Sequence, residues 1–170
     1  MTAYARIAPQ IDPRELRRSL GCFPTGVAIV TTRDAAGAPV GLTISSFNSV
    51  SMDPPLILWS LGLKAASLPV FRAAGGFAIN VLSADQADLP RHFSSPVEDR
   101  FSGVPWRIGA GGFPVLTEAA AVFECRTYAR HDGGDHEIFL GEVLYHAASD
   151  RVPLVFGKGR LVPLATDGAA

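Results

Sequence analysis

The sequence predicts a mainly β domain, an antiparallel barrel with two or three short helices at its periphery. Apolar and β-branched runs recur along the chain, and about seven of them are separated by turn residues. Glycine (17) and proline (13) are both abundant, as expected for a domain with many turns. The 170 residues, 48% of them hydrophobic, are enough for one domain with its own core.

Composition predicts where the domain begins and ends, and it argues against nucleic acid and membrane as partners. We expect a loose N-terminal arm at residues 1–11, one domain at 12–165 and a short tail at 166–170. A net charge of −1 with evenly spread charges argues against nucleic acid as a partner. No apolar run reaches the length of a membrane span, and the N-terminus lacks the apolar core of a signal peptide. The two cysteines form no metal motif, so we expect a reduced, cytoplasmic protein.

The apolar composition also predicts an assembly. Charged residues make up only 18% of the chain, which is low for a soluble monomer. Part of the apolar surface is therefore expected to be buried between subunits, in a homodimer.

The N-terminal part is predicted to form one helix and one hairpin. An N-cap aspartate, a proline at the first helical position and a capping-box glutamate predict a helix over residues 12–21. A strand is predicted at Val27–Thr32. Turn residues at 34–37 lead back into a second strand, Pro39–Ile44.

The stretch Leu42–Ser60 combines two kinds of sequence. Its first half holds six small polar residues within nine positions: Thr43, Ser45, Ser46, Asn48, Ser49 and Ser51. Their alternation with apolar residues predicts an extended backbone whose hydroxyls share one face. After the turn Asp53–Pro55, the apolar run Leu56–Trp59 is typical of a strand covered on both faces. Neutral donors and acceptors beside apolar surface suit an uncharged, flat ligand, and the alternative is a solvated edge strand.

The remaining elements follow from similar signals. They are a short helix at 68–72, a strand at 77–82, a helix from Ser83 to about His92, a long surface loop at 94–114, two long strands at 121–130 and 137–147, and a strand at 153–156 that closes the sheet.

Several kinds of catalytic site are excluded. No glycine-rich nucleotide motif follows a strand, and Gly109–Gly112 leads into Pro114 rather than into a helix. The four histidines lack zinc spacing, so no metal is expected. Ser45 and Ser46 have neither an adjacent base nor a nucleophile elbow around them.

Six motifs in order and spacing resemble the flavin reductase family over residues 16–164. They are Phe-Pro-Thr-Gly-Val at 23–27, Thr-Ile-Ser-Ser-Phe at 43–47, Ser-Val-Ser at 49–51, Asp-Pro-Pro at 53–55, Phe-Ala-Ile-Asn-Val-Leu at 77–82 and Gly-Asp-His at 134–136. The resemblance implies a split β-barrel, a homodimer, and hydride transfer from NADH or NADPH to FMN or FAD. It also implies a separate monooxygenase component that receives the reduced flavin.

The resemblance assigns flavin contacts to two segments. Thr43, Ser45 and Ser46 are implied to contact the isoalloxazine ring and the ribityl chain. The segment Ser60–Ser67 resembles the family's phosphate loop, with Lys64 as its cation and hydroxyls at Ser60 and Ser67. Alanine at 65 and 66 departs from the commonest form of the loop, and a solvated surface lysine is the alternative for Lys64.

Three further residues are implied to lie at the site, each with an alternative. Asn80, inside an apolar strand, bonds either the flavin or neighbouring backbone, because an unpaired buried amide costs about 1–3 kcal/mol. Phe101 lies near the flavin ring or packs in the core. His136 is implied to contact the nicotinamide, where it donates to the carboxamide or stabilises charge, and a solvated loop histidine is the alternative.

The chain is too short for a separate dinucleotide domain, so NAD(P)H must bind against the flavin itself. The expected function is therefore an NAD(P)H:flavin oxidoreductase. A protein that binds, stores or senses flavin without turnover is the alternative. A related oxidase of small amines or pyridoxal-type substrates would need an arginine-rich phosphate site, which the sequence lacks.

Overall fold

The computed structural model describes residues 11–97 and 99–165. The predicted arm and tail therefore lie outside the described residues, apart from Ile11. The described helices are α1 (Pro13–Leu20), α2 (Leu68–Ala73) and α3 (Leu89–Ser94), with a 3₁₀ turn at Ala84–Gln86. The described strands are β1 (Thr25–Gly26), β2 (Ala28–Arg33), β3 (Pro39–Ile44), β4 (Asn48–Met52), β5 (Pro55–Gly62), β6 (Gly76–Val81), β7 (Trp106–Ile108), β8 (Pro114–Leu116), β9 (Ala121–Gly133), β10 (His136–Ala148), β11 (Leu154–Gly157) and β12 (Arg160–Pro163).

One antiparallel sheet of seven strands dominates the molecule, in the order β3-β2-β6-β9-β10-β5-β4. The strands β1, β11 and β12 form a second sheet, and β7 pairs with β8. The prediction of a mainly β, antiparallel fold with short helices is confirmed. No helix within the described ranges is long and apolar enough to cross a membrane.

The core has two apolar clusters. The larger one packs aromatic side chains of the central strands against α2, and the smaller one lies beneath α3 and the loop that follows it. Phe93 belongs to the smaller cluster, and it anchors α3 next to the end of β3. This packing holds α3 over the strand that carries the predicted flavin contacts.

Local signals placed α1 and the first hairpin correctly. Asp12 caps α1 by accepting a hydrogen bond from the amide of Arg14 at 2.7 Å. In the hairpin turn, the carboxylate of Asp34 accepts from the amides of Ala36 and Ala38 at 2.9 and 2.8 Å. Such side-chain-to-backbone bonds depend on neighbours in sequence, which explains why the pattern alone was sufficient.

The prediction of one extended segment through the serine-rich stretch is wrong. The strand β3 ends at Ile44, the chain bends over residues 45–47, and β4 begins at Asn48. Because of this bend, the hydroxyls do not share one face: Ser45 and Ser46 point into different surroundings.

The strand β5 is covered on one face only, which corrects the prediction of cover on both faces. Ile57, Trp59 and Leu61 are buried, whereas the alternate residues Leu56 and Leu58 are only partly buried. The strand β5 lies between β10 and β4 in the sheet, and elements within residues 11–97 and 99–165 leave Leu56 and Leu58 only partly covered.

Three other boundaries differ from the predictions. The helix predicted to run from Ser83 to His92 is two pieces, since Pro90 cannot continue the backbone bonds of a preceding turn. The long loop at 94–114 contains β7 and leads into β8. The strand at 154–157 pairs with β1 and β12, and it does not close the large sheet.

The glycine-rich segment 109–112 surrounds a buried carboxylate. Glu124 on β9 is 5% exposed and accepts a hydrogen bond from the amide of Gly111 at 2.8 Å. A side chain at Gly109 would overlap this carboxylate. Close packing around Glu124 therefore explains Gly109 and Gly111, whereas Gly112 has a φ of 86°, which favours glycine.

The two cysteines are expected to differ sharply in reactivity. Burial, reinforced by the negative charge of Glu124, raises the pKa of the Cys125 thiol to about 12, whereas Cys22 is exposed. Since the thiolate is the reactive form, a thiol reagent at pH 8 should label one cysteine per native chain and a second only after denaturation. Cys22→Ser should abolish the native reaction, and two rapid thiols in the native protein would contradict the prediction.

Candidate functional site

Two adjoining cavities lie where β3 ends against α3. The first, of about 350 Å³, has apolar walls from Ile44 of β3 and from Phe156 and Leu161 of the β11–β12 hairpin. The second, of about 240 Å³, lies beside the segment that connects β5 to α2. Thr43 and Ser94 line both cavities, so the two form one elongated site.

The hydroxyls at the junction of the cavities are held in place by one carbonyl group. Thr43 and Ser94 both donate to the backbone oxygen of Pro90, at 2.7 and 2.8 Å. Each hydroxyl oxygen retains its capacity to accept. The junction therefore offers acceptors to the N–H or O–H groups of a ligand, and the bonds that fix them also tie β3 to α3.

Among the predicted flavin contacts, Ser45 presents a hydroxyl that is free to bond a ligand in the first cavity. It is exposed and lines the first cavity, and its hydroxyl has no hydrogen-bond partner among residues 11–97 and 99–165. Ser46 is different: its hydroxyl accepts from the amide of Ser60 at 3.0 Å and donates to the carbonyl of Ser60 at 3.3 Å. These two bonds brace the bend after β3 against β5, and neither Ser46 nor Ser60 lines the cavities.

Only some residues of the segment after β5 line the cavities. Ser67 lines the second cavity together with Ala65 and Ala66, and it makes no side-chain cap bond to α2. Lys64 is exposed and does not line either cavity. Ser67 and Thr43 thus line the same cavity, whereas Lys64 lines neither cavity.

Arginines at this site were missed by the sequence interpretation. Arg100 lines the second cavity and donates to the carbonyls of Gly41 and Ser95, at 3.0 and 3.3 Å. Arg91 of α3 lines the first cavity. The available signal was an arginine beside Phe101 in an irregular segment, but only the tertiary fold shows that this segment returns to β3.

Asn80 follows the second of its two predicted alternatives, since it bonds neighbouring protein groups. It is fully buried, and its side-chain amide donates to the carbonyl of Ile29 at 3.0 Å and to the hydroxyl of Thr31 at 3.1 Å. Its side-chain oxygen accepts from the amide of Leu116 at 2.8 Å. All its groups are occupied within the protein, and the structure does not bring it to the cavities.

We expect Asn80→Ala to destabilise the fold without weakening flavin binding. The unpaired amide of Leu116 alone should cost about 1–3 kcal/mol in the free energy of unfolding. Urea denaturation followed by circular dichroism measures this loss, and Asn48→Ala on the exposed strand β4 is the matched control. Normal stability combined with lost flavin affinity would contradict the prediction.

Phe101 also follows its alternative, because it packs in the core. It is 6% exposed and meets Phe93 and Trp106 edge to face, with ring centroids 5.2 and 5.6 Å apart. The ring supports α3 and the loop behind the second cavity.

His136 opens β10 on the exposed hairpin loop. Its Nδ1 lies 2.7 Å from a carboxylate oxygen of Asp135. This hydrogen bond, then the charge of the imidazole in its protonated form, and to a lesser extent the charge of Lys64, hold the pKa of Asp135 below its usual range. The amide of Leu63 donates to the backbone oxygen of Asp135 at 2.9 Å, which ties the hairpin loop to the turn after β5. Lys64, Asp135 and His136 thus form a second group, joined to the cavities through residues 65–67.

Two larger cavities, of about 800 and 720 Å³, lie on either side of α2. None of the predicted site residues lines either of them. The described residues contain no group of three or more His, Cys, Asp or Glu that could hold a metal.

The residues around the adjoining cavities fit a flavin. An apolar wall suits a flat ring, fixed acceptors at Thr43 and Ser94 suit hydroxyls or ring N–H groups, and Ser67 with Arg100 suits an anionic tail. The arrangement is that of a small antiparallel β protein whose site suits an aromatic ligand with an anionic end.

Comparison with known proteins identifies the family. The flavin reductase like domain matches residues 20–165, so the chain belongs to this family. The FMN reductase (NADH) of Agrobacterium fabrum is 47% identical over 87% of this chain and 84% of its own length. The reductase subunit of a flavin-dependent monooxygenase from Rhodococcus jostii is 38% identical over 94% of this chain and 82% of its own length.

A solved structure supports the same assignment. The NADH:FAD oxidoreductase of Streptomyces globisporus, in complex with NAD and FAD fragments, superposes with a TM-score of 0.87 at 39% identity. The alignment covers 95% of this chain and 100% of that protein. The chain spans only 49% and 66% of the length of two other relatives.

Proposed function

We propose that this protein is an NAD(P)H:flavin oxidoreductase that reduces FMN or FAD and supplies the reduced flavin to a separate monooxygenase. The adjoining cavities, joined at Thr43 and Ser94, carry this proposal because their walls match a ring at one end and an anion at the other. Relatives that are named as NADH-dependent flavin reductases, or as the reductase subunit of a monooxygenase, support it.

The residues of this chain would bind and orient the reactants. Ile44 and Phe156 would exclude water from one face of the site, while Ser45 offers an uncommitted hydroxyl to the ligand. Ser67 and Arg100 would hold the anionic end. When bound, the flavin supplies the capacity to accept a hydride, and no acid–base pair of the protein is required for that transfer.

We propose that His136 orients the nicotinamide. It is exposed on a hairpin loop whose backbone is anchored to the turn after β5, and that turn leads directly to Ser67. The imidazole is therefore exposed and available to a nicotinamide, and it takes no part in the apolar core.

The experiment that tests the function is anaerobic mixing of purified protein with NADH or NADPH and then FMN or FAD, followed at the NADH absorbance band. We expect NADH oxidation that depends on both protein and flavin. A protein that binds flavin but never oxidises NADH or NADPH would instead support the binding or storage alternative, which is consistent with the position of His136 outside the two cavities.

We propose that two copies of the chain form a homodimer. The outer face of the central strands leaves Leu56 and Leu58 only partly covered, and Tyr128, Leu144 and Tyr145 are about half exposed. A second copy would bury this apolar surface. Light scattering at micromolar concentration should give the mass of a dimer, and a monomer would refute the proposal.

We propose a single domain over residues 12–165 in a reduced, cytoplasmic protein. The two cysteines are free in the structure, one exposed and one buried, which supports a reducing environment. Limited proteolysis should leave residues 12–165 as one resistant fragment.

Flavin is expected to behave as an exchangeable substrate. Apart from Arg91 and Arg100, the side chains that line the two cavities are neutral, and Lys64 lines neither cavity. Extensive dialysis should therefore remove the flavin, whereas stoichiometric flavin after dialysis would contradict this expectation.

Lys64→Ala should weaken flavin binding more than it slows transfer within the complex, because an exposed cation acts on the anionic end through a screened interaction. Since Lys64 lies outside the cavity, we expect a change of only a few-fold in Kd, with Lys158→Ala as the control. A normal Kd combined with slow transfer would place Lys64 elsewhere in the mechanism.

A further inference from the structure

The hairpin loop contains a hydrogen bond that decides which nitrogen of His136 carries the proton. The loop residues are Gly134 and Asp135, and Gly134 has a φ of 77°, which a two-residue turn of this kind requires at its first position. The turn places the carboxylate of Asp135 2.7 Å from Nδ1 of His136. The side chain of Asp135 is 94% exposed, but its backbone is held by the bond from the amide of Leu63.

A carboxylate with a lowered pKa is ionised at neutral pH and can only accept. Nδ1 must therefore carry the hydrogen that it donates to Asp135. In the neutral imidazole, Nε2 is then left with its lone pair and is an acceptor. On the β5 side, a β-carbon added at Gly62 would lie 3.8 Å from Nε2, which is ordinary van der Waals contact.

We propose that Asp135 is a positioning residue that holds His136 in its Nδ1–H form, so that Nε2 accepts a hydrogen bond from the amide N–H₂ of the nicotinamide carboxamide. This inference rests on the proposed reductase function and deepens it. It differs from the expectation that His136 donates to the carboxamide or stabilises charge, since the neutral Nδ1–H form holds no donor at Nε2. The reductase would thereby select an amide-bearing hydride donor over one that bears a carboxylate.

Other charged groups surround Asp135 and His136, but the hydrogen bond to Nδ1 of His136 is made by Asp135. Lys64 approaches Asp135 from the turn after β5, and it competes for the carboxylate only through space. Glu137, the next residue of β10, is occupied by ion pairs with Arg72 and Arg130. Asp132 of β9 is exposed, and it makes no ion pair among the described residues. Asp132 is therefore a matched control for Asp135.

The first test reads the protonation form directly in the protein without flavin. Long-range ¹H–¹⁵N spectra at pH 8 distinguish an N–H from a bare nitrogen on each ring, and His136→Gln identifies the signals of His136. We expect Nδ1–H in the wild type and a shift of about tenfold toward Nε2–H in Asp135→Ala, as expected for the loss of one hydrogen bond. Nε2–H as the main form in the wild type would overturn the proposal.

The second test measures selectivity. Reduced nicotinic acid adenine dinucleotide carries a carboxylate in place of the carboxamide, so it offers no N–H to Nε2. We expect kcat/KM to favour NADH over this analogue in the wild type and in Asp132→Asn. In Asp135→Asn, whose amide can donate to Nδ1, the preference should shrink by about tenfold. An unchanged preference in Asp135→Asn would overturn the proposal.

The two tests separate this proposal from the proposed function. A wild type that never oxidises NADH with FMN or FAD would refute the reductase function and, with it, the role of Nε2 toward the carboxamide. The spectra would still decide whether Asp135 sets the protonation form of His136.

Discussion

His136→Ala is expected to slow NAD(P)H-dependent flavin reduction on the order of 10²-fold, the loss that follows when a reactant is no longer held in its reactive position. The fold and the flavin affinity should stay near those of the wild type. The physical reason is the position of His136: it is exposed at the start of β10, and its side-chain hydrogen bond is to Asp135 on the same loop.

Stopped-flow reduction against NAD(P)H concentration measures this effect, because it separates saturation from the rate of transfer. His131→Ala is the matched control, since His131 is an exposed histidine of the adjacent strand β9. Reduction by dithionite should be equal in all three proteins, as that route does not use the nicotinamide site. Equal rates and equal saturation in wild type and His136→Ala would return His136 to the role of an ordinary loop residue.

Trp59→Ala is expected to reduce the free energy of unfolding by about 3–5 kcal/mol, the range for truncation of a large buried aromatic. Trp59 is fully buried at the centre of the larger core cluster. Its ring stacks on Phe139 with centroids 4.6 Å apart, and it meets Phe71 and Phe77 edge to face at 5.1 and 5.4 Å. Removal of the indole would leave three aromatic rings without their common partner.

Chemical denaturation followed by far-UV circular dichroism measures this loss, and Trp106→Ala in the partly buried β7 is the control, with a smaller expected loss. Trp59→Phe should be much milder than Trp59→Ala. It retains a ring in the stack, and it removes an indole N–H that has no hydrogen-bond partner among the described residues. A loss below about 1 kcal/mol in Trp59→Ala would show that the core can collapse around the cavity.

The sequence predicted those elements whose causes are local. The strand Pro39–Ile44 was placed with correct ends because the Asp34 turn sets where the hairpin reverses. The cap at Asp12 likewise depends on adjacent residues, whereas the loop predicted at 131–136 is a two-residue turn, because the pairing of the two long strands continues to Gly133 and His136. The flavin contacts were implied by the family resemblance, and three of them, Thr43, Ser45 and Ser67, line the two cavities.

The features that escaped prediction depend on partners distant in sequence. Asn80 is bonded by groups from β2 and β8, which the chain brings together only after folding. Ser46 and Ser60 were expected to contact the flavin, but in the fold the hydroxyl of Ser46 bonds the backbone of Ser60. Arg100 reaches the carbonyl of Gly41 across 59 residues of sequence. No periodicity or turn signal encodes such contacts.

The order of strands in the large sheet has a consequence for how the chain assembles during synthesis. The strands β9 and β10 are made late, but they occupy the middle of the sheet and join β6 on one side to β5 on the other. The edge of β6 that pairs with β9 and the edge of β5 that pairs with β10 therefore stay unpaired until residues 121–148 leave the ribosome. Closure of such long loops is slow, and open strand edges promote aggregation. Expression at low temperature or with chaperones should therefore raise the yield of folded protein more than changes at the surface.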